Sequence, residues 1–357
     1  ITFASAAAES EFAVGLSAIG VKQVSVKMNC SSFDEFAREL NPQIVLFDRF
    51  MTEEQFGWRV ADNCRNALRV LDTEDLHCLR HARHQALKEN REFVTADLLN
   101  EHAKREIASI YRCDLSLIIS EYEMELLKTI FKVDEALLHY LPFMLNSISE
   151  ADQKEWLPFE ERQHFMTIGN FLHPPNWDAV QYLKTDIWPL IRKQLPEAEM
   201  HIYGAYTSEK AKQLHSKKDG FLILGRAEDA KEVVGGAKVL LAPLRFGAGL
   251  KGKLVEAMQC GTPSVTTSIG GEAMHENLPW SGEVADSPKD FALAAVQLYT
   301  DKQKWETAQQ NGISIINQIY PKEKLGAEFI QRIRELHDNL VGHRQQNFIG
   351  SMLMHHT

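Results

Sequence analysis

A short segment in the second half of the chain combines residue types that suit the binding of an anion. The apolar run 239–243 predicts a strand, Gly247 and Gly249 predict a turn, and helical periodicity begins near residue 250. A helix that begins without a capping side chain presents free N–H groups and the positive end of its dipole. The two glycines let a ligand approach the backbone closely. The sequence therefore predicts a phosphate-type site at this helix start.

Two lysines, Lys251 and Lys253, add positive charge to the same place. A lysine in the first helical turn opposes the dipole at a cost of roughly a few tenths of a kcal/mol, which a bound diphosphate would offset. Lys253 and Glu256 share a helix face because they are three residues apart, whereas Lys251 and Glu256 do not. We therefore expect Lys253 to act together with Glu256. A simple turn with solvated lysines would give a similar short motif, so this alternative stays open.

Over its full length, the segment resembles the retaining glycosyltransferases of the GT-B fold, in particular family 4. That family carries a small-residue loop, a basic residue, Lys-x-x-Glu and then Ala-Met-x-x-Gly-x-Pro, and residues 247–263 read GAGLKGKLVEAMQCGTP. The resemblance continues through 264–267 and 270–272 and reaches back to 168–171, 175–176 and 224–229. It covers residues 150–330 by motif and the first half mainly by architecture.

The resemblance implies a role for each matching position. Glu256 matches the glutamate that accepts hydrogen bonds from the ribose hydroxyls of the nucleotide. Lys253, together with Lys251, matches the basic positions that neutralise the diphosphate. Gly225 and Arg226 match the loop whose backbone meets the nucleobase. The other donor-binding positions that the resemblance implies are Gly247, Ala248, Gly249, Asn170 and Glu272.

Two positions depart from the family pattern. Many members have a second glutamate eight residues before the ribose-binding one, and this chain has Ala248 there. The N–H groups of the loop 247–249 are then expected to contact the sugar, as in the glycine-alanine-glycine branch of the family. Many members also have an arginine where this chain has Asn170, so neutralisation of the phosphates is expected to fall more heavily on the two lysines.

In the first half, residues 71–80 (LDTEDLHCLR) follow a predicted strand and open a predicted helix. Acidic side chains and a histidine at the carboxyl end of a strand are placed to face a cleft. The family usually has a histidine or an acidic residue here that touches the transferred sugar, so His77 and Asp72 join Lys253 as candidate catalytic residues. Acidic residues that merely cap the helix would give the same composition, and this alternative also stays open.

Short apolar runs alternate with helical patterns along the chain, which is typical of parallel sheets covered by helices. Strands are expected at 1–5, 21–28, 44–48, 67–71, 115–120, 164–169, 200–203, 221–224, 239–243, 264–267 and 283–285. Ser32 is a candidate N-cap for a helix over 33–40, and Thr52 with Gln55 has the spacing of a capping box. Residues 76–112 predict two helices.

We predict an α/β protein of the GT-B fold, with two Rossmann-like, doubly wound domains that face each other across a cleft. Residues 1–146 are expected to form the acceptor-side domain, which lacks its first strand, and 147–322 the domain that binds the nucleotide sugar. Residues 323–357 predict a C-terminal helix and a polar tail, with His355 and His356 disordered rather than bound to a metal. The ligand site is expected in the cleft.

The composition sets limits on the partners. The chain has 357 residues, about two domains, and 39 basic against 49 acidic residues give a net charge of -10, which disfavours nucleic acid as a partner. No apolar run of about 18 residues is present to span a bilayer, and we expect at most transient membrane contact. Five scattered cysteines without zinc spacing favour reduced thiols and a cytoplasmic location.

The resemblance implies transfer of a sugar from a UDP- or GDP-linked donor to a hydroxyl of a glycan or glycolipid acceptor. The reaction would retain the anomeric configuration and serve polysaccharide or glycoconjugate synthesis. No further cofactor and no metal are expected, and no Asp-x-Asp motif is placed to bind one. Two alternatives stay open: a sugar-nucleotide epimerase of the same architecture, and a non-catalytic sugar-nucleotide-binding protein, which the residue Ala248 favours.

Overall fold

In the computed structural model, which describes residues 1–8 and 15–355, parallel sheets occupy both halves of the chain. The strands are β1 (Thr2–Ser5), β2 (Lys22–Ser25), β3 (Ile44–Asp48), β4 (Leu68–Asp72), β5 (Leu115–Ile118), β6 (Leu138–Tyr140), β7 (Gln163–Ile168), β8 (Met200–Tyr203), β9 (Phe221–Gly225), β10 (Ala237–Ala242), β11 (Ser264–Thr266) and β12 (Gly282–Val284). The helices are α1 (Ser32–Leu40), α2 (Arg49–Asn63), α3 (His77–Lys88), α4 (Glu101–Arg112), α5 (Glu121–Thr129), α6 (Glu150–Lys154), α7 (Pro174–Tyr182), α8 (Trp188–Gln194), α9 (Glu209–Lys212), α10 (Ala230–Gly236), α11 (Gly252–Gln259), α12 (Ser268–Gly271), α13 (Pro288–Thr300), α14 (Lys302–Ile319), α15 (Lys322–Asp338), α16 (Leu340–Gln346) and α17 (Phe348–Met354).

The first-half sheet has the strand order β3-β4-β5-β6, and β1 forms a separate parallel pair with β2. The central strands of the four-stranded sheet are apolar, as expected for strands whose two faces are both covered. On one face, Leu71 and Ile118 share a core with side chains from α2, α3 and α4. On the other face, Leu68 and Leu115 pack with Leu336 of α15. The C-terminal helices therefore return to the first half of the chain.

The second-half sheet has the strand order β9-β8-β7-β10-β11-β12, with all strands parallel. Counted from β7, this is the order 3-2-1-4-5-6 of a doubly wound nucleotide-binding fold. Phe165, Leu240 and Val265 of its inner strands are fully buried, as strands covered on both faces should be. The chain moves to one side from β7 and to the other from β10, so a crevice opens above the ends of these two strands.

This topology confirms the predicted α/β fold class with two Rossmann-like units. Each strand predicted from an apolar run overlaps a strand of the structure, and the two helices predicted within 76–112 are α3 and α4. The three-residue strand β6 was not predicted. The domain boundaries at residues 146 and 322 stay a prediction.

Two predicted helix starts are wrong. Ser32 does not cap α1, because the helix already includes this residue, and its hydroxyl donates to Cys30 Sγ at 3.1 Å. Thr52 and Gln55 lie inside α2, which begins at Arg49. Neither helix has a side-chain cap hydrogen bond within the described residues, so capping motifs could not locate these starts.

The predicted polar tail is also wrong, since most of it forms the helices α16 and α17. Arg344 of α16 donates to both carboxylate oxygens of Asp114, each at 2.7 Å, and to the carbonyl of Ala67 at 2.7 Å. Asp114 immediately precedes β5, so this bond holds the end of the chain on the first-half sheet. The predicted disorder of the two terminal histidines stays a prediction. His355 is the last described residue, and His356 lies outside the described residues.

We expect Arg344→Met to lower the free energy of unfolding by about 2 kcal/mol at pH 7, because it leaves a buried carboxylate with weaker partners. Burial alone would raise the pKa of Asp114, but its bonds to Arg344 hold this pKa below the usual value. The carboxylate therefore stabilises the fold above its unfolded pKa, and the difference between the two proteins should shrink below about pH 4. Urea unfolding at several pH values measures this, with Arg334→Met, at an exposed position of α15, as the control.

Candidate functional site

The loops after β7 and β10 meet at the crevice, where the predicted anion-binding segment lies. Residues 169–173 follow β7, and residues 243–251 lead from β10 into α11. Gly169 allows these loops to approach closely: a Cβ at this position would lie 2.6 Å from Asn176 Nδ2 and 2.9 Å from Lys253 Nζ. A side chain at position 169 would therefore fill the space beside Lys253.

The start of α11 has the uncapped form that the sequence predicts. The helix begins at Gly252, its N-cap residue is Lys251, no described side chain caps it, and its first turn contains no acidic residue. Leu254 donates to the Lys251 carbonyl at 2.9 Å, so the amides of Gly252 and Lys253 precede the first intrahelical bonds. Only Lys253 of the two lysines lies in the first turn, whereas a place there was predicted for both.

Lys253 is a partly buried cation that lacks an acidic partner within the described residues. Its Nζ donates to Oδ1 of Asn176 at 2.8 Å, and Asn176 donates from Nδ2 to the carbonyl of Asn170 at 3.1 Å. Burial lowers the pKa of Lys253 to about 8. A charge removed from water without a counter-charge is costly, and a bound anion would remove that cost.

Lys251 occupies a different environment. It is buried, and its Nζ donates to the Gly249 carbonyl at 2.5 Å. Burial lowers the pKa of Lys251 to about 8, while the nearby carboxylates of Glu272 and Glu123 act in the opposite direction. The positive charge of Lys251 therefore already interacts with a carbonyl and with carboxylates of the protein. Its predicted part in neutralising a diphosphate remains a prediction, and Lys253 is the better placed of the two lysines.

Helix α3 of the first half contacts the glycine loop directly. Arg83 donates to both carboxylate oxygens of Glu272, at 2.9 and 2.6 Å, and to the Gly247 carbonyl at 2.9 Å. The next residue of α3, His84, stacks its ring on that of Phe246, with centroids 4.2 Å apart and nearly parallel planes. Glu272, predicted as a donor-binding residue, is therefore ion-paired across the two halves. The two halves are closed around this loop.

The residues predicted to contact the ribose and the base lie farther along α11 and at the end of β9. Glu256 shares a helix face with Lys253, as predicted, and is partly buried. Burial raises the pKa of Glu256, while the charge of Lys231 at the start of α10 lowers it. Glu256 therefore faces the connection that follows β9. Gly225 ends β9 with a φ of 75°, a left-handed conformation, and the next residue, Arg226, is exposed.

Asp72 and His77 lie at the carboxyl end of the first-half sheet. Asp72 ends β4 opposite Asp48 of β3, and burial raises the pKa of Asp72. His77 is the first residue of α3, and its Nε2 lies 3.4 Å from Oδ1 of Asp75. Burial lowers the pKa of His77 to about 3, so its imidazole is neutral at pH 7.

The alternative that Asp72 to Asp75 simply cap α3 does not fit the structure. The N-cap residue of α3 is Leu76, and the helix has no acidic residue in its first turn. Its first amides, of His77 and Cys78, instead donate to the carboxylate of Glu106 at 2.7 Å each. The capping charge therefore comes from α4.

Several groups beside Lys253 were not predicted. Asn176 lay in a segment used for the resemblance, but its contact with the lysine was not foreseen. Burial lowers the pKa of His173 to about 4, and the charges of Arg80 and Lys253 also act on it, which places His173 between the two halves. Arg80 Nε lies 3.3 Å from Oδ2 of Asp75. The position of His173 just after β7 was the sequence signal available for it.

Within residues 1–8 and 15–355, no three or more His, Cys, Asp or Glu side chains are grouped so as to hold a metal ion. In the same ranges, no helix combines the length and the apolar character needed to cross a membrane. The five cysteines, which all lie in the described part of the chain, are unpaired thiols.

Comparison with known sequences gives a family match for the second half. Residues 162–301, which include the glycine loop and α11, match the family described as glycosyl transferases group 1. A curated relative, described as an uncharacterized 44.6 kDa protein in the cps region of Klebsiella pneumoniae, is 24% identical over 165 residues. The aligned region is 44% of this chain and 42% of that protein, so the chain spans less than half of this relative.

Solved structures share the fold of most of the chain. TarM of S. aureus, in a complex that includes UDP, has a TM-score of 0.64 at 13% identity, over 84% of this chain and 58% of that one. The pneumococcal O-GlcNAc transferase GtfA, with UDP and GlcNAc, has a TM-score of 0.65 at 16% identity, over 85% and 59%. Anabaena HepE, with UDP and glucose, has a TM-score of 0.64 at 13% identity, over 90% and 88%. The chain spans less than two thirds of the first two proteins, and at these identities the similarity establishes the GT-B fold alone.

Proposed function

We propose that this protein transfers a sugar from a nucleoside diphosphate to a hydroxyl group of a glycan or glycolipid acceptor. The observation that carries the proposal is the environment of Lys253, a partly buried ammonium at an uncapped helix start with no described carboxylate in ion-pair contact. This is the arrangement that binds phosphate groups. The match of residues 162–301 to group 1 glycosyltransferases supports it, as do the UDP complexes of TarM, GtfA and HepE.

In this proposal the donor lies along α11. The diphosphate binds at the helix start beside Lys253, the ribose hydroxyls donate to Glu256, and the base lies near Gly225 and Arg226. Negative charge grows on the departing phosphate as the glycosidic bond breaks. The lysine and the N–H groups of the helix start are already oriented toward that charge, so they stabilise the transition state more than the bound substrate.

We propose retention of the anomeric configuration, with the acceptor attacking from the same face that the diphosphate leaves. The leaving phosphate then removes the proton of the acceptor hydroxyl, so no enzymic nucleophile is required. The neutral imidazole of His77 is suited to a hydrogen bond with the transferred sugar. Asp72 is suited to a contact on the acceptor side of the site. The scheme uses a UDP- or GDP-linked donor and assigns no step to a metal ion.

The relative from a cps region supports a role in polysaccharide or glycoconjugate synthesis. We propose that this synthesis takes place in the cytoplasm, where sugar nucleotides are the donors, with at most transient membrane contact.

Two observations favour a second candidate, a protein that binds a sugar nucleotide without transferring the sugar. Ala248 replaces a sugar-contacting glutamate of the family, and the Gly249 amide is already bonded to a carboxylate of the protein. An epimerase of the same fold would convert the sugar nucleotide without an acceptor. Product analysis with and without acceptor separates these candidates from a transferase.

We expect UDP or GDP to raise the melting temperature. A ligand at about 100 times its Kd adds about 2.7 kcal/mol to the free energy of unfolding, which corresponds to a rise of about 5 to 11 °C for a domain of 150 to 250 residues. A thermal-shift screen of nucleoside mono- and diphosphates measures this, because a diphosphate site should respond to UDP or GDP much more than to UMP or GMP.

The nucleotide that gives the largest rise in melting temperature then identifies the sugar nucleotides to test as donors, starting with UDP-glucose, UDP-GlcNAc and GDP-mannose. Release of nucleoside diphosphate that depends on an acceptor would establish transfer. Equal shifts for mono- and diphosphates, or no shift with any nucleotide, would contradict the proposed site.

A further inference from the structure

The glycine loop of the second half is bonded to a buried carboxyl group of the first half. Glu123, the third residue of α5, is completely buried. Its Oε1 accepts from the Gly249 amide at 2.7 Å and from the Leu76 amide at 3.1 Å. One oxygen atom therefore joins the glycine loop to the turn that precedes α3.

Packing makes the shape of this loop depend on the first half. A Cβ at Gly249, whose φ is 61°, would lie 2.9 Å from the Asp75 Cβ and 3.3 Å from the Glu74 carbonyl oxygen. The neighbouring Ala248 is buried within the first-half core. Separation of the two halves would remove these contacts, so the conformation of the loop and the closure of the halves are coupled.

The second oxygen of Glu123 indicates that stability alone does not explain this residue. Oε2 is buried and has no hydrogen-bond partner within the described residues. An unpartnered buried oxygen lowers stability, so Oε2 weakens the fold even though Oε1 satisfies two buried amides. Burial raises the pKa of Glu123, and a glutamine side chain of the same shape would keep its acceptor oxygen.

We propose that Glu123 is a positioning residue for the proposed sugar transfer. Through the Gly249 amide it sets the loop 247–249 against the donor sugar, and it does so only when the two halves are closed. The groups assigned to the nucleotide, Lys253 and Glu256, lie on α11 and do not depend on this bond. The inference rests on the proposed function and adds a first-half residue to it.

The proposal separates catalysis from nucleotide binding. Without the Glu123 bond, the nucleotide still binds to the second half, but the sugar is held in the wrong place. Misplacement of about 1 Å at a reacting group lowers the rate by roughly 10²-fold. Turnover should therefore fall while the Kd for UDP or GDP is nearly unchanged, a pattern that general loss of folding does not produce.

The test compares Glu123→Gln, which keeps the acceptor oxygen, with Glu123→Leu, which removes it, and Glu123→Asp, which withdraws it by one methylene group. Glu125→Leu, at an exposed position of the same helix, is the matched control. Calorimetry with UDP and GDP gives Kd, and hydrolysis or transfer of UDP-glucose, UDP-GlcNAc and GDP-mannose gives kcat. We expect kcat to fall roughly tenfold or more in the Leu and Asp variants, and to stay within about threefold for Gln and the control.

A Glu123→Asp variant with the kcat of the wild type would overturn the proposal, even if Glu123→Leu fails to fold. A Glu123→Gln variant as slow as the Asp variant would also overturn it, because the amide retains the acceptor. A change in Kd as large as the change in kcat would show that the residue supports the nucleotide site in general. Failure of the wild type to bind UDP and GDP would instead contradict the proposed function itself.

Discussion

Replacing Lys253 with methionine is expected to lower kcat by roughly 10²-fold, the scale of losing one main charge-stabilising donor. Methionine keeps the apolar stem that packs beside Gly169 and removes only the ammonium group. Because the lysine has no ion-paired carboxylate among the described residues, its loss leaves no protein anion unpaired and should cost little stability. Steady-state kinetics with the donor identified by the nucleotide screen measures the effect.

The pH dependence of binding gives an independent test of Lys253. Burial lowers the pKa of the free lysine to about 8, and a bound diphosphate would raise it. The diphosphate therefore selects the protonated form, so wild-type affinity should fall by up to about tenfold per pH unit above pH 8. Lys253→Met should bind weakly at every pH and lack this decrease.

Lys289→Met, which removes an exposed lysine from α13, serves as the control and should leave both kinetics and pH dependence unchanged. Unchanged turnover in Lys253→Met would contradict the assignment of the diphosphate site. A loss of stability without a loss of nucleotide binding would assign the lysine to the fold.

The local geometry of the candidate site in the second half was predictable because its main signals are local. A strand, a glycine turn and an uncapped helix start follow one another within 20 residues, and helical spacing places Lys253 and Glu256 on one face. The alternation of strands and helices also predicts parallel sheets, and the carboxyl ends of their strands indicate the crevice. These inferences require no knowledge of long-range partners.

The difference between the two lysines was not predictable with the same certainty, because it depends on where α11 begins. A shift of one residue decides whether Lys251 is an N-cap or a first-turn residue, and such boundaries are the least reliable part of any pattern. Its burial beside Glu123 and Glu272 depends on contacts across the two halves. No local pattern carries that information.

Contacts between the two halves account for most of the structural features that the sequence does not predict. The bonds from Arg83 to Glu272 and from the Gly249 amide to Glu123 join residues that are 189 and 126 positions apart. The helices α16 and α17 were missed for the same reason. Each has only 7 residues, which is too short for a helix that is stable by itself, and Arg344 holds them on the first half by bonds that only the folded chain can form.

Replacing Glu256 with alanine is expected to weaken the binding of UDP or GDP by about 10²-fold, since hydrogen bonds to a charged acceptor contribute about 1.5 to 3 kcal/mol. The partly buried carboxylate lies three residues after Lys253 on the same face of α11, a rise of about 4.5 Å along the helix axis. Calorimetry with UDP, GDP and their 2′,3′-dideoxy analogues measures the effect. Removal of the carboxylate by Glu256→Ala and removal of the ribose hydroxyls in the dideoxy analogues are then the two changes of a double-mutant cycle.

If Glu256 accepts from the ribose, removal of either partner already breaks the bond, so the dideoxy nucleotide should bind equally weakly to the wild type and to Glu256→Ala. A variant that weakens ribo- and dideoxynucleotides by the same factor would place the ribose elsewhere. Glu306→Ala, at an exposed position of α14, controls for loss of negative charge and should change neither affinity. Because Lys253→Met should weaken both nucleotides alike, the two variants together distinguish the sugar end of the site from its phosphate end.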